Sequence, residues 1–302
     1  MINIICGIDN NYTRFCGVFI TSVLENNKGD KICFYIINNG LTEKNKELLT
    51  SIINKYNSHI KFGTVNNEHI KYCPIKKGDY VSIAAYFRIL TPLIFPEIEK
   101  AIYFDVDIIV NGDITGLWET NIENFAIGAV REGENDDIRL YNIIDYNKEK
   151  GLFNSGVLLM NLKYWREKHV TERTMEFIKN FPEKCYAWDQ GALNNVLQDE
   201  KFFLPLKYNF TSTYFNELTK IHLDKKYWDE VNLTKQSPVV IHYTCTKPWH
   251  KECQHPLKSL FYKYQELTPW KKIKPRYQYN KLSSKIKRML QNLNLMHRET
   301  KI

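Results

Sequence analysis

Short apolar runs and helical patterns alternate through the first sixty-odd residues of the chain. NIICGI (3–8), KICFYII (31–37) and IKFGTV (60–65) read as strands, whereas the apolar positions around Phe15–Asn26 and Glu43–Tyr56 recur on one helical face. This βαβα order calls for an α/β fold with a mainly parallel central sheet and right-handed crossovers. Farther on, Ser82–Leu90 reads as a helix stopped by Pro92, AIYFDVD as the next strand, and FAIGAV (125–130) as a strand after it. Leu162–Lys179 and Trp188–Leu197 carry helical patterns, VLLMN (157–161) and Pro238–Tyr243 carry strand patterns, and Phe203–Tyr243 is otherwise aromatic and irregular. No internal repeat or Gly/Ser linker interrupts the chain, and the one boundary it offers lies near residue 268.

Charge sharpens that boundary. The 302 residues are 43% hydrophobic, enough for one large core, and the net charge is +8. From Trp270 to Ile302 there are ten Lys or Arg residues and one Glu, a local balance of +9 that leaves the preceding body at −1. The expected organisation is therefore a catalytic body over residues 1–268 and a basic helical tail over 269–302. A nearly neutral body offers no extended positive groove, so nucleic acid is not an expected partner. In the tail, Leu282, Ile286, Met289, Leu290, Leu293 and Met296 recur at spacings of three and four, with Lys285, Lys287 and Arg288 largely elsewhere around the helix. Such a helix suits an anionic membrane surface, although a helix docked on its own domain, or a solubilising tail, fits the same pattern. Seven scattered cysteines favour reducing surroundings. The first residues lack the basic region of a signal peptide, and no run of eighteen apolar residues appears. Together these predict a cytoplasmic protein peripheral at the inner face of the membrane.

The chemistry begins with YFDVDIIV (103–110), which sets Asp105 and Asp107 in what reads as a buried strand. Alternate strand residues share a face, about 7 Å apart at Cα, and two carboxylates that close call for a cation. The alternative is a strand that ends at Tyr103 or Phe104, with both aspartates in a wet turn. In open α/β sheets ligands bind beyond the carboxyl ends of strands, which draws attention to Asp9 and Asn11 after the first strand and to His242 at the end of VVIH. Asp9 and Asn11 can face a base or sugar, or simply form an Asx turn. His242 can complete an oxygen- and nitrogen-bound divalent site, or be structural.

Six segments in order, CGIDNNY, SIAAYFRIL, AIYFDVDIIVNGDITGLW, LFNSGVLLMNLKYWR, WDQGALN and HYTCTKPWH, resemble family-eight glycosyltransferases. The likeness is greatest to bacterial enzymes that move galactose or glucose from a UDP-sugar onto lipooligosaccharide or lipopolysaccharide. The resemblance implies a GT-A-like fold, a UDP-hexose donor, a lipid-linked glycan acceptor and a divalent cation, Mn²⁺ with Mg²⁺ as the alternative. It also implies roles: Asp9 and Asn11 at uracil and ribose, Arg88 near the sugar and diphosphate, Lys247 on the diphosphate. Asp105, Asp107 and His242 match the metal ligands, and Asn154, Asp189 and Gln190 surround the donor sugar. The family retains anomeric configuration. An amide, Gln190, stands where a nucleophilic carboxylate would be needed, which favours same-face attack, with Asp189 as an alternative nucleophile.

Two departures bear on these roles. The loop HYTCTK is one residue short of the family pattern and lacks its glycine, so Lys247 reaches the site by another path or turns away. AVREGEN offers Glu132 as the best match to an acidic residue on the acceptor side. Other readings are a glycoprotein acceptor, a phosphatase built on DVDII, a nucleic-acid binder resting on the tail, and a zinc module of Cys245, His250, Cys253 and His255. The last has poor spacing for a closed tetrahedral site.

Overall fold

The computed structural model of the protein describes residues 1–56, 58–74, 83–132, 138–185, 187–215 and 225–277. The tail helix expected over Leu282–Met296 lies outside the described residues. Among the described residues ten strands are formed: β1 (Ile2–Ile8), β2 (Ile32–Asn38), β3 (His59–Thr64), β4 (Lys100–Phe104), β5 (Ile108–Val110), β6 (Ile127–Arg131), β7 (Phe153–Asn161), β8 (Lys201–Phe203), β9 (Phe210–Thr211) and β10 (Val240–His242). Seven build a sheet in the order β3-β2-β1-β4-β7-β6-β8, and the other three a small sheet in the order β5-β10-β9. In the large sheet only the pairings of β7 with β4 and β6 are antiparallel, so the expected mainly parallel character holds.

Period-two alternation sorts the strand residues into two apolar layers. Ile4, Cys6, Ile8, Phe34, Ile36 and Leu159 pack beneath α1 (Thr13–Asn26) and α2 (Glu43–Ile53). Ile5, Tyr35, Ile37, Tyr103 and Leu158 pack on the other face against a 3-10 helix (Ile83–Leu90) and helices Leu162–Glu167, Val170–Asn180 and Asp189–Val196. Burial of each large apolar side chain contributes roughly 1.5–3 kcal/mol, so these layers dominate the stability. Thr42 caps α2, accepting from Asn45 N at 3.3 Å. Both βαβα helices thus form where the pattern places them.

Three local expectations are corrected. The fourth strand does not run through the aspartates: β4 stops at Phe104 and β5 begins at Ile108 in the other sheet, so 105–107 is the crossing between sheets. The 162–179 helix is two helices, because His169 adopts φ 51°, ψ 41° and turns the second segment. Thr171 Oγ1 then donates to Ile89 O at 2.8 Å, docking it on the 3-10 helix. Pro92 does not stop the helical segment: the expected helix is a 3-10 helix ending at Leu90, and the chain continues at once as a short α-helix, Thr91–Ile94, with Pro92 in its first turn, where a missing N–H costs nothing. The irregular region also contains a helix, Trp228–Gln236. Beyond residue 268 the chain continues on the body: Trp270 packs against Gly17, and Arg276 pairs with His250. No helix among the described residues is long and apolar enough to cross a membrane.

Candidate metal centre and its polar surroundings

The sheet crossing brings together side chains far apart in sequence. β10 runs antiparallel to β5 with His242 opposite Ile108, so the strand's last residue lies next to Asp107. His242 Nε2 is 3.3 Å from Asp107 Oδ1 and 3.9 Å from Asp105 Oδ2. Ligand atoms from Asp105, Asp107 and His242 all lie within 4.8 Å of one another. Two carboxylates and an imidazole form a donor set suited to Mn²⁺ or Mg²⁺. Gly156 makes the convergence sterically feasible: a Cβ there would lie 2.2 Å from His242 Cε1 and 2.9 Å from Asp105 Oδ2. Its carbonyl accepts from Asp105 N at 2.8 Å, fixing the crossing to β7.

Lys247 reaches this cluster despite the short loop. Its ammonium donates to Asp107 Oδ2 at 2.5 Å and to the carbonyls of Tyr243 and Thr244 at 2.7 and 3.1 Å. Two residues on, Trp249 stacks on Phe15 of α1 with centroids 3.6 Å apart, anchoring the segment that carries Lys247. Burial works against the Asp107 carboxylate, but the charges of Lys247 and His242 outweigh it and hold the group well below the usual carboxylate range.

Asp105 is held from the opposite side. Arg88, 3% exposed, donates from Nη2 to Asp105 Oδ1 at 2.9 Å, and Tyr103 Oη donates to the same oxygen at 3.0 Å. The guanidinium lies 4.3 Å above the Tyr103 ring. Its Nη1 donates to the Ser155 carbonyl and its Nε to Ala85 O. Asp189 Oδ2 is 3.0 Å from Arg88 Nε, but that N–H points to Ala85, so the pair is electrostatic and the oxygen has no hydrogen-bond partner. Burial therefore pushes Asp189 up to about 7, while Arg88 pulls the other way.

A ring of amides continues from there. Gln190 Oε1 accepts from Ser155 N at 2.9 Å, and its Nε2 donates to Glu132 Oε2 at 2.9 Å. Asn154 Nδ2 donates to that same oxygen at 3.0 Å. Asp9 and Asn11 lie elsewhere, in the turn between β1 and α1, where Asp9 Oδ1 accepts from the N–H groups of Asn11 and Tyr12 at 2.8 and 3.1 Å. Asp9 thus forms the Asx turn, and the exposed Asn11 belongs to the same turn. Gln190, Asp189, Asn154, Arg88, Lys247 and the three candidate ligands share one contiguous network, whereas no hydrogen bond joins Asp9 or Asn11 to it among those described.

The zinc reading is not sustained. Among the described residues the one group of three or more candidate ligands is Asp105, Asp107 and His242. Cys245 is exposed and Cys253 buried, while His255 lies between the Phe215 and Tyr243 rings and accepts from Leu257 N at 3.1 Å. Burial lowers both His250 and His255 to about 4.

Motif chemistry assigns no role to Tyr103, Ser155 or Asn209. Tyr103 and Ser155 lie inside YFDVDIIV and LFNSGVLLMNLKYWR, whereas Asn209 belongs to the aromatic stretch with no motif around it. Asn209 is nevertheless fully buried and bonded to His242 Nδ1 at 2.9 Å. Only its polarity in an apolar neighbourhood hints at a role.

Comparison with known proteins places this arrangement. A family model described as Glycosyl transferase family 8 matches residues 3–253. The chain is 28% identical over 280 residues to general stress protein A of Bacillus subtilis (strain 168), covering 90% of this chain and 96% of that one. It is 29% identical over 283 residues to a lipopolysaccharide 1,2-glucosyltransferase of Escherichia coli (strain K12), covering 91% and 80%. The crystal structure of galactosyltransferase LgtC in complex with donor and acceptor sugar analogs superposes with a TM-score of 0.81 at 25% identity, covering 89% of this chain and 96% of that one.

Proposed function

The chain belongs to glycosyltransferase family 8, and from that premise we propose that it transfers a hexose from a UDP-sugar, with retention, to a hydroxyl of a lipopolysaccharide-like surface glycan. The observation that carries this reading is the convergence of Asp105, Asp107 and His242 with Lys247 at the crossing between two sheets. Similarity to both a glucosyltransferase and a galactosyltransferase supports a hexose donor of either kind.

Asp105, Asp107 and His242 would hold the divalent cation, which when bound supplies positive charge against the diphosphate. Lys247 adds its own charge to the same leaving group. Of its three hydrogen bonds to Asp107, Tyr243 and Thr244, the 3.1 Å one to Thr244 O is the most readily exchanged for a phosphate oxygen. Arg88 fixes Asp105 and, through Ser155, the stretch of β7 whose backbone orients Gln190. Preorganised groups of this kind act on developing charge without reorganising during the reaction. In the proposed same-face step the acceptor oxygen bonds to the anomeric carbon as the bond to the β-phosphate oxygen breaks, and the hydroxyl proton passes to that phosphate. Asp189, 2% exposed beside Arg88, is poorly disposed to attack, which supports this route over a covalent intermediate. Asp9 and Asn11, at the mouth of β1, remain the proposed contacts to uracil and ribose.

The basic tail and the inner membrane face belong to the same proposal, bringing the body to a lipid-linked acceptor. UDP release tests the core of it, measured with UDP-galactose, UDP-glucose and their N-acetyl forms with and without Mn²⁺. Mn²⁺-dependent release from a UDP-hexose is expected, and no release from any of the four donors would overturn the reading.

A further inference from the structure

We propose that Asn209 is a positioning residue that fixes the tautomer of His242 and so keeps the Nε2 lone pair facing Asp105 and Asp107; this rests on the metal reading above. Asn209 precedes β9, whose parallel pairing with β10 sets Phe210 beside Ile241 and Thr211 beside His242. Its assignment follows from a chain of hydrogen bonds that starts at a group able only to donate. The backbone N–H of Gly156 donates to Asn154 Oδ1 at 3.0 Å, so the other end of that amide is its NH₂, which meets Glu132. Asn154 Oδ1 is also 2.9 Å from Asn209 Nδ2, so Asn209 turns its NH₂ toward Asn154 and its carbonyl toward His242 Nδ1, 2.9 Å away. A carbonyl only accepts. Nδ1 therefore carries the ring proton, and in the neutral imidazole that a metal requires, Nε2 carries the lone pair.

The competing tautomer has a partner of its own. With the proton on Nε2, His242 would donate to Asp107 Oδ1, 3.3 Å away, and the nitrogen would be lost as a ligand. Asn209 is the group that opposes this, because among the described residues its carbonyl is what gives an Nδ1 proton a buried acceptor. The polarity set at Gly156 is thus passed through two amides to the metal side, and the same amide chain meets Glu132 and Gln190 on the sugar side. Outer partners of this kind orient ligand histidines, and their loss weakens metal binding roughly ten- to hundredfold.

The test reads the ring directly. In metal-free protein with ¹⁵N-labelled histidine, at a pH where the rings are neutral, the His242 signal, assigned by its loss in His242→Gln, is expected to show the proton on Nδ1. In Asn209→Ala it should move to Nε2, and the Mn²⁺ dissociation constant, from the EPR signal of free Mn²⁺, should rise roughly ten- to hundredfold. Asn209→Asp keeps an acceptor for Nδ1–H and should keep the wild-type tautomer. A wild-type proton on Nε2 would overturn the proposal. So would Asn209→Ala with an unchanged tautomer, whatever its Mn²⁺ affinity, since weakening alone would mark lost packing. If Asn209→Ala does not fold, the wild-type ring and Asn209→Asp decide the matter. Wild-type protein that binds no Mn²⁺ would count against the metal reading instead, and the tautomer would still be read.

Discussion

Asp107 and Asp189 occupy two sides of one site, each a carboxylate beside a cation, the first pair half-buried and the second buried, and they are shifted in opposite directions. Lys247 donates directly to Asp107 at 2.5 Å, and its charge overcomes the cost of burial. Arg88 stands 3.0 Å from Asp189 but spends its hydrogen atoms on Asp105, Ser155 and Ala85, so burial prevails and Asp189 rises to about 7. Proximity to a cation therefore does not fix a carboxylate's state. The direction of the donor's hydrogen atoms does, together with how many acceptors share the charge. The Asp107 side is arranged to stay anionic and meet a cation; on the Asp189 side Arg88 is held by Asp105, Ser155 and Ala85 instead.

The comparison breaks most visibly at Asp107. Asp107→Asn should reduce Mn²⁺-dependent UDP release by roughly 10²–10³-fold, with a smaller loss for Asp105→Asn, whose oxygen is already shared with Arg88 and Tyr103. Both should keep the wild-type circular dichroism spectrum, and near-wild-type turnover by both at saturating Mn²⁺ would remove the site. Lys247 comes next. Lys247→Ala should lower turnover roughly tenfold or more and weaken UDP binding, and Lys247→Arg should do less harm because the charge is kept. Unchanged UDP affinity, measured by calorimetry, would restrict Lys247 to supporting Asp107.

Gly156→Ala tests the space between the two sides. Its Cβ would fall 2.2 Å from the His242 ring, so overpacking should cost about 1–3 kcal/mol in denaturant unfolding and weaken Mn²⁺ binding. An unaltered unfolding midpoint would mean that the crossing relaxes freely.

A pH series sharpens the contrast. Asp189 is raised from 3.8 to about 7, so its protonated form is favoured by folding. The resulting stability is fully present below the unfolded value and is lost as pH rises from about 4 to about 7. Asp107 is lowered from 3.8, so its contribution is present above that value and lost as pH falls below it. Asp189→Asn should remove the decline between pH 4 and 7, a slope of at most about 1.4 kcal/mol per pH unit. A wild-type slope retained in the variant would assign the titration elsewhere. The smallest effect on the site is expected from deleting residues 278–302, which spares the packed stretch around Trp270 and Arg276. UDP release should stay near wild type while cosedimentation with anionic vesicles falls, most clearly at low salt. Equal vesicle binding by the shortened protein would reject the tail as an anchor.

The sequence by itself determined the parts that depend on local periodicity and on motif chemistry. Ile4, Cys6 and Ile8 alternate with Ile5 strongly enough to specify a strand buried on both faces, and the spacing in α1 and α2 specifies their inner faces. Asp105, Asp107 and His242 were legible as chemistry because carboxylates and an imidazole at strand ends have few apolar reasons to be there, whereas Lys247 was legible only through the resemblance of HYTCTKPWH to the family pattern. Only the tertiary structure decided between a strand running through the aspartates and one ending before them, and only it showed the chain passing there into a second sheet, since 103–110 carries no local signal for a change of sheet. It alone decided that Gly156 faces His242, that Arg88 serves Asp105 more than Asp189, and that Asn209 orients the imidazole. Those outcomes depend on where groups far apart in the chain point once β5, β9 and β10 pair, from 17 positions for Arg88 and Asp105 and 33 for Asn209 and His242 upward, and hydrogen-bond direction is a property of the packed arrangement rather than of any neighbouring residue in the chain.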